Sequence, residues 1–351
     1  MATNKKYQLL AEKLRIRYSD KFDKPQVAIK QKNFKSGGFT TIATLGNFSV
    51  VTGKAKSRKS FYVGIALAAA ISDNIILGTF KSNLPKKKRE VVYFDTEQGK
   101  YHVQKALHRI CKQAKIENPE NLAVYCLRGL NYKKRHKVIE EVIYTNPNIG
   151  LVVIDGVRDL VTSINDEQQA TEISSKLLKW TEELNIHIIV VLHQNKGNAF
   201  ARGHLGTELI NKAELVLSVT KPNNNEDISI VKADYSRDIA PENFAFTIVD
   251  GLPTVIDSYV DQLGVSNRKP KLKDLNDEDK IKLLKEVFSK ENGYKYGELK
   301  KQIQSSYIAL FKESIGLNQA VYFITECKSK RWIDQDKPKG KYSLSSSLEP
   351  P

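Results

Sequence analysis

The chain has 351 residues, 40% of them hydrophobic, which is enough to form a large core and excludes global disorder. Its net charge of +16, from 56 Lys and Arg against 40 Asp and Glu, favours a polyanionic partner, either nucleic acid or an anionic membrane surface. No run of about 18 apolar residues and no signal peptide is recognisable, which argues against a membrane protein. The three cysteines lack metal-ligand spacing and indicate a reducing cytoplasm.

The first 45 residues are predicted to form a short helix, at 4–18, and an irregular lead-in. The helix is expected to pack on its own domain, with docking on a neighbouring subunit as the alternative. From residue 46 onwards, continuous apolar runs alternate with helical patterns. Strands are predicted at 47–52, 91–95, 122–127, 150–154, 186–192, 214–220, 227–233 and 244–250, and helices at 59–72, 100–114, 134–145 and 167–184. This alternation predicts an α/β domain over residues 46–261 with a central, mostly parallel sheet and an antiparallel extension.

A charged stretch with few apolar residues, at 262–280, is predicted to link this domain to a small one at 281–346, and 347–351 form a tail. The small domain has helices at 281–289, 296–304 and 315–329 and strands at 331–333 and 341–344. This order is the layout of an α+β winged helix, although a helical cap that supports oligomerisation remains an alternative. The predicted DNA contacts here are Lys328, Lys330, Arg331, Lys337 and Lys339.

The segment GKAKSRKS, from Gly53 to Ser60, has the spacing of the phosphate-binding loop GxxxxGK[ST]. Backbone N–H groups and a helix N-terminus converge there on an anion, Lys59 reaches the β- and γ-phosphates, and Ser60 holds Mg²⁺. Arg58 replaces the usual glycine, so its side chain must point away or contact the nucleotide. The residues expected to bind the nucleotide are Gly53, Lys54, Ala55, Lys56, Ser57, Arg58, Lys59, Ser60 and Phe61.

Two later strands end beside carboxylates. Glu97 follows the strand VVYFD and is a candidate to orient and deprotonate the attacking water. Asp155 ends the apolar strand LVVID, in the pattern by which a buried strand delivers a carboxylate to Mg²⁺ beside a phosphate-binding loop. Ser60 and Asp155 are therefore the predicted metal ligands.

Two further groups of polar residues follow later strands. His193 and Gln194 end the strand IIVVLHQ, and either is a candidate to sense the γ-phosphate. Lys232 and Arg237 lie on a later strand and loop, from which cations can reach a neighbouring subunit's nucleotide as arginine fingers do. Without the other motifs, Lys232 and Arg237 would be interpreted as ordinary charged surface residues.

These motifs as an ordered set resemble the RecA-like P-loop ATPases, in particular the branch with the plasmid replication helicase RepA and the AAA_25 group of mobile genetic elements. The segments that carry the resemblance are GKAKSRKS (53–60), FDTEQ (94–98), LVVIDGVRDL (151–160) and VVLHQNKGNAFARGHLGTELINKAELVLSV (190–219). The resemblance spans about 46–250 and implies ATP and Mg²⁺ as cofactors. It assigns catalytic roles to Lys59, Asp155, Glu97, Gln194 or His193, and, in trans, Lys232 and Arg237.

Members of this class assemble as rings or filaments, so the resemblance implies a homo-oligomer, with a hexameric ring as the expected form. The loop from Lys196 to His204 is the predicted contact with single- or double-stranded DNA, through Lys196 and Arg202. The loop Thr162–Gln169 is neutral to acidic and is not expected to contact phosphate.

The resemblance implies a cytoplasmic ATP-dependent DNA motor, of helicase or translocase type, in replication or mobilisation of a plasmid, transposon or phage. One alternative is a DNA-binding regulator or loader that uses ATP as an oligomerisation switch, with hydrolysis slowed by Arg58. A recombinase-like filament is a third option. A membrane-surface role is disfavoured because the sequence pairs no basic stripe with an evident apolar face.

Overall fold

The computed structural model describes residues 2–34, 36–194, 203–222, 225–256, 272, 275–311 and 314–346. The chain divides into two compact units, Met1–Gly264 and Val265–Pro351. This division lies inside the stretch 262–280 that the composition predicts as a linker. Most of that stretch is outside the described residues.

The first unit is built around one large sheet. Its elements, in chain order, are α1 (Ala2–Leu14), β1 (Val27–Lys32), β2 (Phe39–Thr44), β3 (Phe48–Gly53), α2 (Lys59–Ile71), β4 (Phe80–Ser82), β5 (Glu90–Asp95), α3 (Lys100–Ala114), β6 (Leu122–Cys126), α4 (Tyr132–Thr145), β7 (Ile149–Asp155), α5 (Glu167–Leu184), β8 (His187–His193), α6 (Gly203–Lys212), β9 (Leu215–Thr220), β10 (Ser229–Ser236), β11 (Phe244–Val249) and β12 (Leu252–Val255). Short 3₁₀ turns lie at Lys86–Lys88 and Val157–Leu160.

The described strands of this sheet follow the order β12-β11-β10-β9-β3-β8-β7-β5-β6. The strands from β9 to β6 pair in parallel, and β10, β11 and β12 extend the sheet antiparallel. The predicted α/β fold with a mostly parallel central sheet is confirmed. Because the carboxyl ends of parallel strands meet at one edge, the motif residues after β3, β5, β7 and β8 are brought together there.

Both faces of the sheet are buried, which explains the continuous apolar runs of its strands. Side chains alternate between the faces, so that Val51 packs with α2 and α3 whereas Val50 packs with α4, α5 and α6. Helix α2 is buried over most of its length. It lies between the large sheet and residues of β1, β2 and β4, and therefore carries almost no polar face.

Several features differ from the sequence-based expectations. The predicted irregular lead-in contains β1 and β2, which form a second small sheet in the order β2-β1-β4. These strands were missed because VAIKQK and FTTIAT mix polar and apolar residues without a clear period of two. Helix α6 and strand β12 were also not predicted.

The N-terminal helix forms but does not pack on its own domain. Residues 5–26 are exposed, including Leu9 at 62% and Leu14 at 71% of their full accessible area. Helical spacing of apolar residues predicts a helix without specifying its partner, so this packing expectation was wrong. Among the described residues, no helix is both long and apolar enough to cross a bilayer.

The second unit consists of three helices and a hairpin in the part of the chain that the structure describes. They are α7 (Asp277–Phe288), α8 (Tyr296–Phe311), α9 (Leu317–Ser329), β13 (Ile333–Gln335) and β14 (Tyr342–Leu344). Tyr294, between α7 and α8, pairs with Tyr342 of β14 through reciprocal backbone hydrogen bonds of 3.0 and 2.8 Å. The helices share a core of their own around Leu283, Ile303 and Phe323. The order agrees with the predicted layout, while the winged-helix assignment remains a prediction.

Candidate functional site

The loop between β3 and α2 is a tight turn that depends on one glycine. Gly53 ends β3 with a φ of 156°, and a Cβ atom there would overlap the Val219 carbonyl oxygen and lie 2.6 Å from Ser57 Oγ. Lys56 and Arg58 have positive φ values of 64° and 72°, which turn the loop into the first turn of α2. Such turns aim consecutive backbone N–H groups at an anion.

The remaining loop residues differ in exposure. Lys54, Ala55 and Lys56 are exposed to solvent, whereas Ser57 is buried. The Ser57 carbonyl accepts a hydrogen bond from Ser229 Oγ at 3.4 Å. Phe61 is directed towards α3, where the Arg109 guanidinium lies 3.9 Å from the centre of its ring. In this structure the Phe61 ring therefore packs on α3.

Arg58 has a left-handed backbone conformation, which costs a residue with a side chain about 1–2 kcal/mol. Its Nη1 donates to the Asp227 carbonyl at 2.5 Å, in the turn before β10. Thr247 Oγ1 donates to the same carbonyl at 3.0 Å. The sequence left open whether the Arg58 side chain points away from the loop or contacts the nucleotide. In this structure it points away.

Lys59 is buried at the start of α2, and its ammonium group contacts acceptors supplied by the chain itself. Nζ donates to the carbonyls of Gly53 and Lys54, at 2.9 Å each, and lies 3.1 Å from His193 Nδ1. Burial lowers the pKa of Lys59 to about 8, against the opposing attraction of Asp155 and Glu97. The amine is thus held at the base of the loop where phosphates would bind.

Ser60 and Asp155 are brought together, as the sequence predicts for metal ligands. Ser60 Oγ donates to Asp155 Oδ2 at 2.8 Å. Burial raises the pKa of Asp155 to about 6, so the carboxylate needs a cationic partner for full ionisation at this depth. Adjacent oxygen ligands of an octahedral Mg²⁺ lie about 2.9 Å apart, given bonds of about 2.0–2.1 Å. The pair therefore fits two neighbouring positions of a Mg²⁺ shell.

Protein side chains provide only part of such a shell. Among the described residues, no cluster of three or more His, Cys, Asp or Glu residues could hold a metal by itself. Mg²⁺ characteristically keeps several waters and takes one or two protein oxygens together with substrate phosphates. The Ser60–Asp155 pair agrees with that kind of site.

Asp95, on the strand next to Asp155, is a site residue whose part the sequence reasoning did not assign. It is fully buried, and its Oδ1 accepts from the backbone N–H groups of Glu97 at 3.0 Å and Gln98 at 2.7 Å. Its Oδ2 accepts from Gln98 Nε2 at 2.8 Å and Tyr93 OH at 3.1 Å. These hydrogen bonds turn the chain sharply after β5 and thereby fix the position of the Glu97 backbone.

Glu97 is hydrogen-bonded to a residue that contacts the phosphate loop. Its Oε1 lies 3.1 Å from Nε2 of His193, whose Nδ1 faces Lys59. Because an ammonium group can only donate, Nδ1 accepts and Nε2–H donates to the carboxylate. This hydrogen bond lowers the pKa of Glu97. The three side chains form a continuous hydrogen-bonded row.

The two candidate sensor residues occupy different environments. His193 lies between Lys59 and Glu97, whereas Gln194 is buried and its Nε2 donates to Thr52 Oγ1 at 3.2 Å. The backbone N–H of Gln194 donates to the Gly53 carbonyl at 3.1 Å. His193 is the one whose side chain reaches the other predicted catalytic groups in this structure.

Lys232 lies within β10, whereas Arg237 directly follows this strand. Lys232 is exposed and pairs with Ser218, which is itself the partner of Thr52 at the end of β3. Arg237 Nη2 donates to the Lys212 carbonyl at 2.7 Å, before the start of β9. Within one chain, Arg237 is therefore at the far end of the sheet from the phosphate loop. Its action on a neighbouring subunit stays a prediction.

The predicted DNA contacts are only partly described. Lys196 and Arg202 lie outside the described residues. Lys330 forms ion pairs with Asp277 at 2.6 Å and Glu326 at 3.4 Å, and the first of these raises its pKa. The other candidates on the second unit are exposed: Lys328, Arg331, Lys337 and Lys339. The hairpin lysines are thus better placed for phosphate than Lys330.

Comparison with known families agrees with this geometry. Residues 40–199 match the family model AAA_25, described as an AAA domain. The match supports a P-loop ATPase. It includes the loop from Gly53 to Ser60 together with Glu97, Asp155 and His193, so it supports nucleotide binding, with Mg²⁺ as the typical ion, and nucleotide hydrolysis in general. No curated protein matches the chain significantly.

Arg58→Gly tests whether the arginine has a direct part in nucleotide binding. Because the side chain is directed to Asp227, we expect ATP affinity to change by no more than about twofold, measured by calorimetry. Arg58→Ala, which also removes the bond to Asp227 but keeps a Cβ atom, is the matched control. A loss of about tenfold or more in both variants would mean that Arg58 turns inward to contact the nucleotide.

Proposed function

We propose that the protein is an ATP-dependent DNA-binding motor, of helicase or translocase type, in replication or mobilisation of a plasmid, transposon or phage. The observation that carries the proposal is the hydrogen-bonded row Lys59–His193–Glu97 beside the Ser60–Asp155 pair. This row links the phosphate loop to a carboxylate suited to orienting water. It also includes the last residue of β8, which leads directly into the loop predicted to contact DNA.

Each residue of the site has a separate role in the proposed hydrolysis. Lys59 places its charge where the β- and γ-phosphates would bind, and Ser60 and Asp155 would hold Mg²⁺, which would supply charge neutralisation on the phosphates. Glu97 accepts a hydrogen bond from the attacking water and orients it. Because its pKa is lowered, its main contribution is positioning rather than strong proton abstraction. Phosphoryl transfer depends chiefly on such positioning and electrostatics.

His193 supplies the proposed coupling between nucleotide and DNA. In this structure the Lys59 ammonium group donates to the carbonyls of Gly53 and Lys54 and to His193 Nδ1. Phosphate oxygens compete with His193 for this group, so nucleotide binding changes the partners of the last β8 residue. We propose that this change couples nucleotide binding to the proposed DNA contacts Lys196 and Arg202, which follow β8 in the sequence.

Assembly completes the proposed site. AAA domains often oligomerise and bind nucleic acid, and we propose a hexameric ring in which Lys232 and Arg237 act on a neighbour's nucleotide. The position of Arg237 far from its own phosphate loop is compatible with action in trans. The second unit adds duplex affinity through the exposed lysines of a winged-helix-like hairpin.

ATP hydrolysis measured with and without DNA tests the motor. We expect hydrolysis that depends on Mg²⁺ and is stimulated severalfold by single- or double-stranded DNA. Lys59→Ala abolishes nucleotide binding, whereas Glu97→Gln retains binding and lowers the rate by about 100-fold or more. Equal loss of ATP affinity in both variants would refute the role of Glu97. Tight ATP binding with little turnover on DNA would favour the regulator that uses ATP as an assembly switch.

Salt dependence tests the second unit as a duplex-binding module. In the full chain, Lys337→Ala with Lys339→Ala removes two exposed hairpin charges, so the slope of log K against log salt falls by about 2. The matched control removes two exposed lysines of α7, with Lys282→Ala and Lys285→Ala. If both double variants change the slope equally, the hairpin has no special part in DNA binding.

A further inference from the structure

One arginine outside the predicted motifs contacts the chain at several strand ends of the site. Arg135, on the first turn of α4, donates from Nη1 to the Asp159 carbonyl at 2.9 Å and from Nη2 to the Thr96 carbonyl at 3.2 Å. It also donates from Nε to the Leu127 carbonyl at 3.2 Å and from Nη2 to that of Arg128 at 3.1 Å. Its side chain is only 13% exposed.

These carbonyls belong to three neighbouring strand ends. Thr96 directly follows β5, Leu127 directly follows β6, and Asp159 lies in the 3₁₀ turn after β7. The guanidinium group is planar, permanently charged and rich in N–H donors, so one side chain can bridge all three ends. The Asp159 carboxylate lies 3.8 Å away and partly balances the charge.

Thr96 extends this connection to the backbone of both residues with a predicted catalytic carboxylate, Glu97 and Asp155. It precedes Glu97, and its backbone N–H donates to the Asp155 carbonyl at 2.8 Å. Its hydroxyl lies 3.2 Å from the same carbonyl and 3.0 Å from that of Gly156. A Cβ atom on Gly156 would lie 2.6 Å from Glu97 Oε1, so Glu97 rests directly against the backbone that follows Asp155.

We propose that Arg135 is a positioning residue for hydrolysis, which holds the Glu97 segment in register with the segment after Asp155. The inference rests on the proposed role of Glu97. Arg135 does not contact the phosphate loop: its described hydrogen bonds all go to the far side of the site, at β5, β6 and β7. Its loss therefore affects the rate of the chemical step more than nucleotide binding.

The shape of the side chain makes the proposal specific. A lysine carries one ammonium group with three donors at a single point, and cannot span carbonyls at three strand ends. Loss of the bridge lets Thr96 and the 3₁₀ turn shift independently. A displacement of about 1 Å at a reacting group can reduce a rate by about 100-fold.

The test compares Arg135→Lys and Arg135→Met with Lys134→Met. Lys134 is an exposed neighbour on α4, and its replacement matches the change in charge of Arg135→Met. We expect kcat to fall about 10- to 100-fold in both Arg135 variants, with ATP affinity within about twofold of the unchanged chain. Lys134→Met keeps its kcat. Thermal unfolding of each variant, with ATP present, establishes that the folded fraction is the same.

A double variant separates positioning from general destabilisation. If Arg135 acts through Glu97, adding Arg135→Met to Glu97→Gln lowers the residual rate by less than about twofold. A full additional loss, or a parallel loss of ATP affinity and kcat, would overturn the proposal. If Glu97→Gln itself keeps normal hydrolysis, the proposed role of Glu97 fails. If Glu97→Gln is slow but both Arg135 variants are normal, only the inference on Arg135 fails.

Discussion

Two buried carboxylates on adjacent parallel strands are the constraint on which the site depends. Asp95 and Asp155 are register partners at the ends of β5 and β7, and Tyr93 OH lies 3.1 and 3.3 Å from their Oδ2 atoms. Burial raises the pKa of Asp155, and the charge of the neighbouring Asp95 adds to this effect. The two carboxylates have different hydrogen-bond partners.

Asp95 finds most of its hydrogen-bond donors in the segment that directly follows it. Two backbone N–H groups and the Gln98 amide donate to it, so its oxygens are occupied by the turn that they stabilise. Asp155 has the Ser60 hydroxyl and shares Tyr93, and burial raises its pKa to about 6. The difference in hydrogen bonding makes Asp95 a structural group and leaves Asp155 suited to a cation. Strands β5 and β7 thus have the same pattern, apolar residues followed by Asp, but the two Asp residues have different roles.

Sequence patterns predicted the elements that carry the site but not the contacts between them. The phosphate loop and the strands before Asp155 and His193 follow from spacing and apolar runs, and the α/β sheet is confirmed. The direction of Arg58 depends on a carbonyl acceptor in a turn 169 residues away, at Asp227. Arg135 likewise binds backbone carbonyls, which every residue possesses. Contacts of this kind leave no pattern of residue types to recognise.

The N-terminal segment illustrates the same limit at the level of packing. Apolar residues at helical spacing correctly predict helix α1, because the pattern reports which side chains share a face. The pattern does not contain the surface that the face meets, and residues 5–26 are exposed in this structure. Strands β1 and β2 show the opposite error, because they form although the sequence did not predict them. They are strands because β1 pairs with both β2 and β4, although their own residues give no clear period.

The phosphate loop is tied to the antiparallel extension of the sheet as well as to the catalytic row. Arg58 and Thr247, the latter on β11, both donate a hydrogen bond to the Asp227 carbonyl. Ser229 Oγ donates to the Ser57 carbonyl of the loop. The loop is therefore hydrogen-bonded both to the turn before β10 and to the first residue of that strand. Any shift of the loop on binding phosphate either breaks these bonds or moves the turn with it. Because β10 also carries Lys232, Arg58, in place of the glycine of the motif, connects the phosphate loop to the strand from which action in trans is proposed.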